Sequence, residues 1–366
     1  GVASEAASLA GTLGLGRLIY LYDDNRITID GDTSLTFLED VVRRFEGYDW
    51  HVQRLGDDAD PDAIEQAIRS ARDEEQRPSL IIVRTHIGYG SPKQDSPKAH
   101  GEPLGPEATR ETKERAGWPL EPPFHIPEEA LERFRQALDE GARREEQWRE
   151  MFEHYKKSFP EEAGRFELQV RCELPEGWDR DVPAFKSEDG PLATRAASGK
   201  VMNALAERVP NLLGGSADLA ASLKTLLAGH DDRNIHFGVR EHAMGAIVNG
   251  MALFGGVIPY GSTFLVFSDY MRPPMRLAAL MDIHSLFIYS HDSIAVGEDG
   301  PTHQPVEHLA SMRAIPNMTV LRPADANETA AAWRLAISRP RPTTLILTRQ
   351  KLPVLDVSEG AHPHPM

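Results

Sequence analysis

Apolar and polar positions along this chain change period repeatedly, and the changes mark short strands separated by longer amphipathic helices. Early in the chain, "LIYLY" (18–22) and "SLIIVRT" (79–85) are compact apolar runs. They bracket stretches near 34–46 and 61–75 whose apolar residues recur at helical spacing. Farther on, "VIPYG", "SLFIYS", "MTVLRP" and "TTLILT" alternate with helical patterns near 194–209, 241–254, 268–281, 304–313 and 325–338. Strands apolar on both faces that alternate with helices predict parallel sheets with helices on both sides. The opening residues, "GVASEAASLAGTLGLG", show helical spacing at once, with no cap, start methionine or leading strand before them. They read as a chain entered part-way through a domain.

Between the two blocks the pattern changes. Residues 86–125 are rich in Gly, Pro, His and Lys and read as a long functional loop with a short helix. Residues 127–159 are heavily charged, with Leu131, Phe134 and Leu138, then Trp148, Met151, Phe152 and Tyr155, at helical spacing. Helices that pack on a neighbour and link two domains fit this better than a calmodulin-type target helix. The expected organisation is a first α/β domain over 1–125, a helical linker over 126–185 and a second α/β domain over 186–366.

Charge and cysteine content narrow the function. Forty Lys and Arg against 56 Asp and Glu leave a formal charge of −16 over 366 residues. Such a surface repels nucleic acid and anionic membrane, while a local basic pocket can still take a small phosphorylated substrate. Cys172 stands alone, so no intrachain disulfide can form, and a reducing, cytoplasmic compartment is expected. The most apolar window, 246–267, is interrupted by Asn249, Gly255-Gly256, Pro259 and Ser262-Thr263, so it predicts a helix followed by a strand rather than a membrane span.

Four stretches and a few scattered residues carry candidate chemistry. In "YDDNRITIDG", Asn25 lies at a strand end, where an amide oxygen and a carbonyl two residues on could face a hard cation; a turn-forming Asn is the plainer reading. Glu241 and His242 open a helix of small and apolar residues, which should raise the pKa of the carboxyl, although a helix dipole also favours an N-terminal Glu. Phe264, Phe267 and Tyr270, three apart past a strand, are either core or a stacking wall for a flat heterocycle. The loop 289–309 holds His291, Asp292, Glu298, Asp299 and His303. Its spacings match no common zinc signature, and hydrogen bonding or proton transfer to a hydroxylated substrate suits it better than metal ligation by His291, Asp299 and His303. Arg195, Arg349 and Ser222 would suit phosphate, and His100 sits on the long loop.

Together, "SLAGTLGLGRLIYLYDDNRITIDG", "IGYGSP…AHGEPLG", "GGSADLAAS", "GVREHAMGAIVNG", "GSTFLVFSDYMRP", "SHDSIAVGEDGPTHQPVEHLASMRAIPNMTVLRPADANE" and "LTRQKLP" closely resemble transketolase, in the family's order and over essentially the whole chain. The resemblance implies two domains of the thiamine-diphosphate-binding type, a diphosphate-binding domain that is incomplete here and a pyrimidine-binding domain. It implies the pentose phosphate pathway reaction, in which a two-carbon ketol unit passes from a ketose phosphate to an aldose phosphate with thiamine diphosphate and Mg²⁺. By that resemblance Asn25 and the carbonyl of Ile27 are Mg²⁺ ligands, and Glu241 meets the pyrimidine nitrogen. Phe267 stacks on the pyrimidine with Phe264 and Tyr270 completing the pocket. Arg195, Ser222, His291 and Arg349 form the phosphate clamp, and Asp299 reads a donor hydroxyl. His303 and His100 bind substrate oxygens and shuttle protons, with His100 also near the cofactor. The family works as a homodimer with its active site between subunits.

The departures are as specific. The family's Gly-Asp-Gly motif, whose aspartate is a further Mg²⁺ ligand, occurs nowhere in the chain. Gly1-Val2 match a point just downstream of it, and the chain stops where the family continues into a third domain. The expectation is therefore a transketolase fragment of doubtful activity, with its second domain the better folded. The alternatives are a non-catalytic or split-enzyme subunit needing a partner, and the related dihydroxyacetone synthase.

Overall fold

The alternating pattern of strands and helices is realised in two units of the computed structural model, which describes residues 1–57 and 60–355. One unit is Ala7–Met151 and the other is Gly1–Ala6 with the chain from Phe152 onward. The first begins within helix α1 (Val2–Thr12) and continues through β1 (Ile19–Asp24), α2 (Val41–Glu46), β2 (His51–Leu55), α3 (Pro61–Asp73) and β3 (Ser79–Arg84). Its three strands are all parallel, in the order β1-β3-β2, with Ser79 level with both Ile19 and His51. Central β3 is apolar on both faces because it is covered on both. Leu80 and Ile82 pack with Ala7, Ala10 and Trp50, while Ile81 and Val83 face Ala67 and Ala71 of α3. The Trp50 indole donates to the carbonyl of Ala7 (2.8 Å) and fixes α1 on its face. At the sheet edge, β1 leaves Tyr20 and Leu21 exposed.

One expected helix is shorter than its pattern. Over 34–46 only Val41–Glu46 is α-helical, preceded by a 3₁₀ turn at Thr33–Leu35. Two aspartates explain the break: Asp32 accepts from Ser34 N and Asp40 from Arg43 N, so each starts its own short helix. The strand β2 was not expected, because "HVQRL" carries too little apolar periodicity to stand out. Past β3 the long connection contains two helices, α4 (Lys98–Gly101) and α5 (Pro106–Arg115). Then α6 (Glu128–Ser158) runs for 31 residues without one buried side chain, its surface laced with i,i+4 pairs such as Glu140–Arg144 and Glu145–Arg149.

In the second unit α7 (Pro160–Val170), β4 (Leu192–Ala193) and α8 (Thr194–Ala206) precede β5 (Leu212–Ser216), α9 (Ala220–Leu223) and β6 (Asn234–His236). Next come α10 (Glu241–Phe254), β7 (Ile258–Phe264), α11 (Ser268–Met281), β8 (Leu286–Ser290), α12 (His308–Arg313), β9 (Thr319–Leu321), α13 (Ala326–Ser338), β10 (Thr343–Ile346) and β11 (Lys351–Leu352). Six parallel strands lie in the order β6-β5-β7-β8-β10-β9, and β4 pairs antiparallel with β11. The core beneath one face joins Val201, Met202 and Leu205 of α8 to Trp333 of α13 and Leu286, Ile288 and Leu345 of the sheet. Trp333 places its indole N–H on Ser198 Oγ at 2.8 Å. The sequence pattern did not show β5 and β6, since "LLGGS" reads as a loop. Its glycines are there for close strand approach: a Cβ on Gly215 would lie 1.7 Å from the carbonyl oxygen of Ile235. Strand order reverses at β5, whose neighbours are β6 on one side and β7 on the other, so the crevice beyond the carboxyl ends of β5 and β7 is the natural ligand position.

Candidate active site

The second unit gathers its candidate chemistry just past the carboxyl ends of β7 and β8. Phe264 ends β7 and Phe267 follows in a 3₁₀ turn, with the two rings stacked at 5.9 Å and 14°. Tyr270, one turn into α11, continues the row 6.2 Å from Phe267 and is well exposed. His291, immediately past β8, lays its ring 3.7 Å from that of Phe264, and His303 meets both phenylalanines edge-on at 6.0 and 5.4 Å. The loop 289–309 and the aromatic triplet are thus one wall of rings, although about thirty residues separate them in sequence. It is an aromatic surface with polar edges, able to stack a flat heterocycle and hydrogen-bond around it.

A charged rim borders the wall. His291 is almost fully buried, in a left-handed conformation (φ 60°), with Nδ1 2.8 Å from Ser290 Oγ. Burial, reinforced by the nearby Arg195 guanidinium and opposed by Asp299, pushes its pKa down to about 4. Its imidazole is therefore neutral at pH 7, with Nε2 3.9 Å from Asp299 Oδ2. Arg195, at the start of α8, donates from Nη1 to the carbonyl (2.7 Å) and Oγ (3.1 Å) of Ser222 in α9. Burial and the neighbouring Arg349 lower its pKa, the mark of two guanidinium groups held near each other. Arg349 reaches Glu298 (3.0 Å) and lies 3.7 Å from Asp299. Two close cations with a neighbouring hydroxyl favour an anion such as a phosphate monoester.

Glu241 opens α10 and is only 8 % exposed. Burial raises its pKa, and Glu5 adds to the rise. The Glu5 carboxylate accepts from Ala243 N at 3.0 Å, so it satisfies an otherwise orphaned amide in the first turn of α10. Sequence reading missed Glu5. Its signal was a single acid among the small and apolar residues of "VASEAASLAGT". A buried carboxyl inclined to keep its proton is suited to holding or passing one at a ring nitrogen.

In the first unit Asn25 follows β1, and its Oδ1 accepts from Ile27 N at 3.0 Å, so the turn-forming reading of Asn25 is realised. The intervening Arg26 is left-handed (φ 62°). The ends of the paired strands are tied where Arg84 Nη1 donates to the carbonyl of Asp24 (2.9 Å) and Thr85 bonds Asp23. Asn25 Oδ1 keeps a second lone pair, and with the Ile27 carbonyl it would offer oxygen donors alone, the class Mg²⁺ takes. The donor set fits such an ion in kind. His100 lies exposed on α4 of this unit. Each group stands in its own unit: Asn25, Ile27 and His100 in one, and Arg195, Ser222, Glu241, Phe264, Phe267, Tyr270, His291, Asp299, His303 and Arg349 in the other.

Comparisons with known proteins point to one family. The family description "Transketolase, thiamine diphosphate binding domain" matches residues 1–175, and "Transketolase, pyrimidine binding domain" matches 190–354. The transketolase of Aquifex aeolicus is 51% identical over 99% of this chain and 53% of its own length. The chloroplastic transketolase of Craterostigma plantagineum is 48% identical over 97% of this chain and 70% of its own. Among solved structures, a Pichia stipitis transketolase in complex with sedoheptulose 7-phosphate superposes with a TM-score of 0.93 at 42% identity, over 97% of this chain and 55% of that one. A Leishmania mexicana transketolase matches with the same TM-score at 40% identity, over 97% and 54%. The chain spans about half the length of most of these relatives.

Proposed function

This chain belongs to the transketolase family, and on that premise we propose that it is part of an enzyme moving a two-carbon ketol unit between phosphorylated sugars, the reaction of the pentose phosphate pathway. The observation that carries the proposal is the convergence on one buried imidazole, His291, of Phe264, His303, Arg195, Arg349 and Asp299, drawn from distant stretches of sequence. Thiamine diphosphate, held with Mg²⁺, would supply the electron sink for breaking and remaking a carbon–carbon bond.

The protein's own groups divide the remaining work. Glu241 holds a proton at a pyrimidine nitrogen, with its carboxyl kept protonatable by burial and by Glu5. Phe264, Phe267 and Tyr270 give the ring a flat partner. Arg195 and Arg349, with Ser222, hold the phosphate end of the sugar, and the neutral His291 hydrogen-bonds without competing for charge. Asp299 accepts from a sugar hydroxyl, while His303 and His100 move protons at substrate oxygens. The Asn25 side chain and the Ile27 carbonyl would ligate the Mg²⁺. The corresponding domains are 1–125 for the diphosphate, 126–185 as linker and 186–366 for the pyrimidine, in a homodimer with the site between subunits. A cytoplasmic enzyme is consistent with the single, unpaired Cys172, and none of the described helices is long and apolar enough to cross a membrane.

Calorimetric titration of thiamine diphosphate into the purified chain, with Mg²⁺ and then with EDTA, tests the proposal. Mg²⁺-dependent binding is expected. Glu241→Gln should weaken it about tenfold or more, the worth of one charge-assisted hydrogen bond. Glu5→Gln should remove the like charge beside Glu241 and lower its pKa, read by carboxyl-carbon NMR. A folded chain that takes up no thiamine diphosphate would withdraw the proposal for this chain.

A further inference from the structure

Beside the ring wall, the first turns of α11 and α12 bring together three groups that the proposed reaction does not use. They are Asp269, Glu307 and His308, and one carboxylate oxygen from each acid and a ring nitrogen all lie within 4.8 Å of one another. His308 is 96 % buried by its neighbours, its side chain only 4 % exposed, while both carboxylates are open to solvent. Its Nε2 lies 3.1 Å from Asp269 Oδ2, which assigns the N–H to that nitrogen and leaves a lone pair on Nδ1. Nδ1 is buried and has no hydrogen-bond partner, and it lies 3.9 Å from Glu307 Oε2.

A lone pair facing a carboxylate oxygen at that distance is electrostatically unfavourable unless a positive centre stands between them. Among the described residues neither carboxylate has a basic partner other than His308. The nearby Arg272 instead donates to Ser311, at 2.6 Å to its Oγ and 3.2 Å to its carbonyl. From this geometry we infer that Asp269, Glu307 and His308 form a divalent-cation site for Zn²⁺ or a similar borderline ion. His308 Nδ1 and the Glu307 carboxylate are its ligands, and water fills the exposed positions. Asp269 holds the opposite ring N–H, the carboxylate–histidine–metal arrangement that orients an imidazole and raises its basicity. A nitrogen donor beside carboxylates selects Zn²⁺, Co²⁺ or Ni²⁺ over Mg²⁺, which prefers oxygen ligands and keeps its waters.

The test is Zn²⁺ titration of the full chain at neutral pH without thiamine diphosphate, repeated with Co²⁺ to read its visible absorption. One saturable site is expected, and excess Mg²⁺ should leave it in place, which separates it from any ion at Asn25. Glu307→Gln, at an exposed position where folding is not at risk, should abolish it, as should His308→Gln in protein shown to be folded. Asp269→Asn should weaken it about 10–100-fold, the usual effect of losing a ligand's orienting partner. His230→Gln, which removes the ring of a separate His–Glu pair (3.0 Å), should change nothing. Absence of saturable binding, or a Glu307→Gln protein that binds as well as wild type, would overturn the inference and leave a proton-bridged clamp between two helices.

Discussion

His291 concentrates several constraints in one side chain: a left-handed backbone, near-complete burial and two arginines nearby. Their consequence can be measured. The folded pKa of about 4 lies below the ordinary histidine value of about 6.5, so between these pH values the unfolded chain binds the proton that the folded chain refuses. Stability contributed by neutral His291 is therefore complete above pH 6.5 and is lost as pH falls toward 4, by up to ~3 kcal/mol. Urea unfolding at pH 7, 5.5 and 4.5 should show this loss, and His291→Gln should flatten the difference. An unchanged pH slope in the variant would place the titration elsewhere. The residue types at the ring wall were legible in sequence, because two histidines and three carboxylates within the thirteen positions 291–303 are hard to explain by structure alone. The perturbed state of His291 was not legible, since it arises from groups remote in the chain.

At the scale of elements, the wall depends on how α10 packs against α11. Gly245 makes the close approach possible: a Cβ there would meet Pro274 Cγ at 2.6 Å and Met271 Cγ at 3.0 Å. Asn249 adds a hydrogen bond from its amide to the carbonyl of Pro274 (2.8 Å) and accepts one from Ser285 Oγ (2.9 Å). Gly245→Ala should gain about 1 kcal/mol in helix propensity yet lose more to the clash with a rigid proline ring, for a net destabilisation of about 1–2 kcal/mol. Chemical denaturation checks the sum, and a variant as stable as wild type would mean that α11 yields easily. Helices with a strong apolar stripe, such as α3 and α13, were read correctly. The helix expected near 304–313 is present but starts late, because only His308–Arg313 is α-helical. Pro301–His303 instead forms a 3₁₀ turn, and Pro305 removes an amide before the helix can start.

For the whole molecule, the two units differ in how much sheet and core they hold. Residues 7–151 build three strands with small cores around Trp50 and Ala71, whereas the other unit has a six-stranded parallel sheet and a far larger core. Limited proteolysis should accordingly cut residues 7–151 first and leave a stable fragment covering about 186–355. Survival of residues 1–120 while the later part is degraded would contradict this. The sequence alone determined the α/β class and most strands and helices, because period and apolar content are local properties set by which face each residue must bury. It also singled out the stretches of candidate chemistry and their resemblance to transketolase. Strands made of "LLGGS" and "HVQRL" were beyond it, since their identity rests on partners rather than on their own pattern. Only the tertiary structure set Glu5 beside Glu241, gathered the rings and arginines around His291, and left a histidine nitrogen unpaired beside Glu307. Proximity across the fold decides those protonation states and contacts, because burial and neighbouring charge act through space and not along the chain.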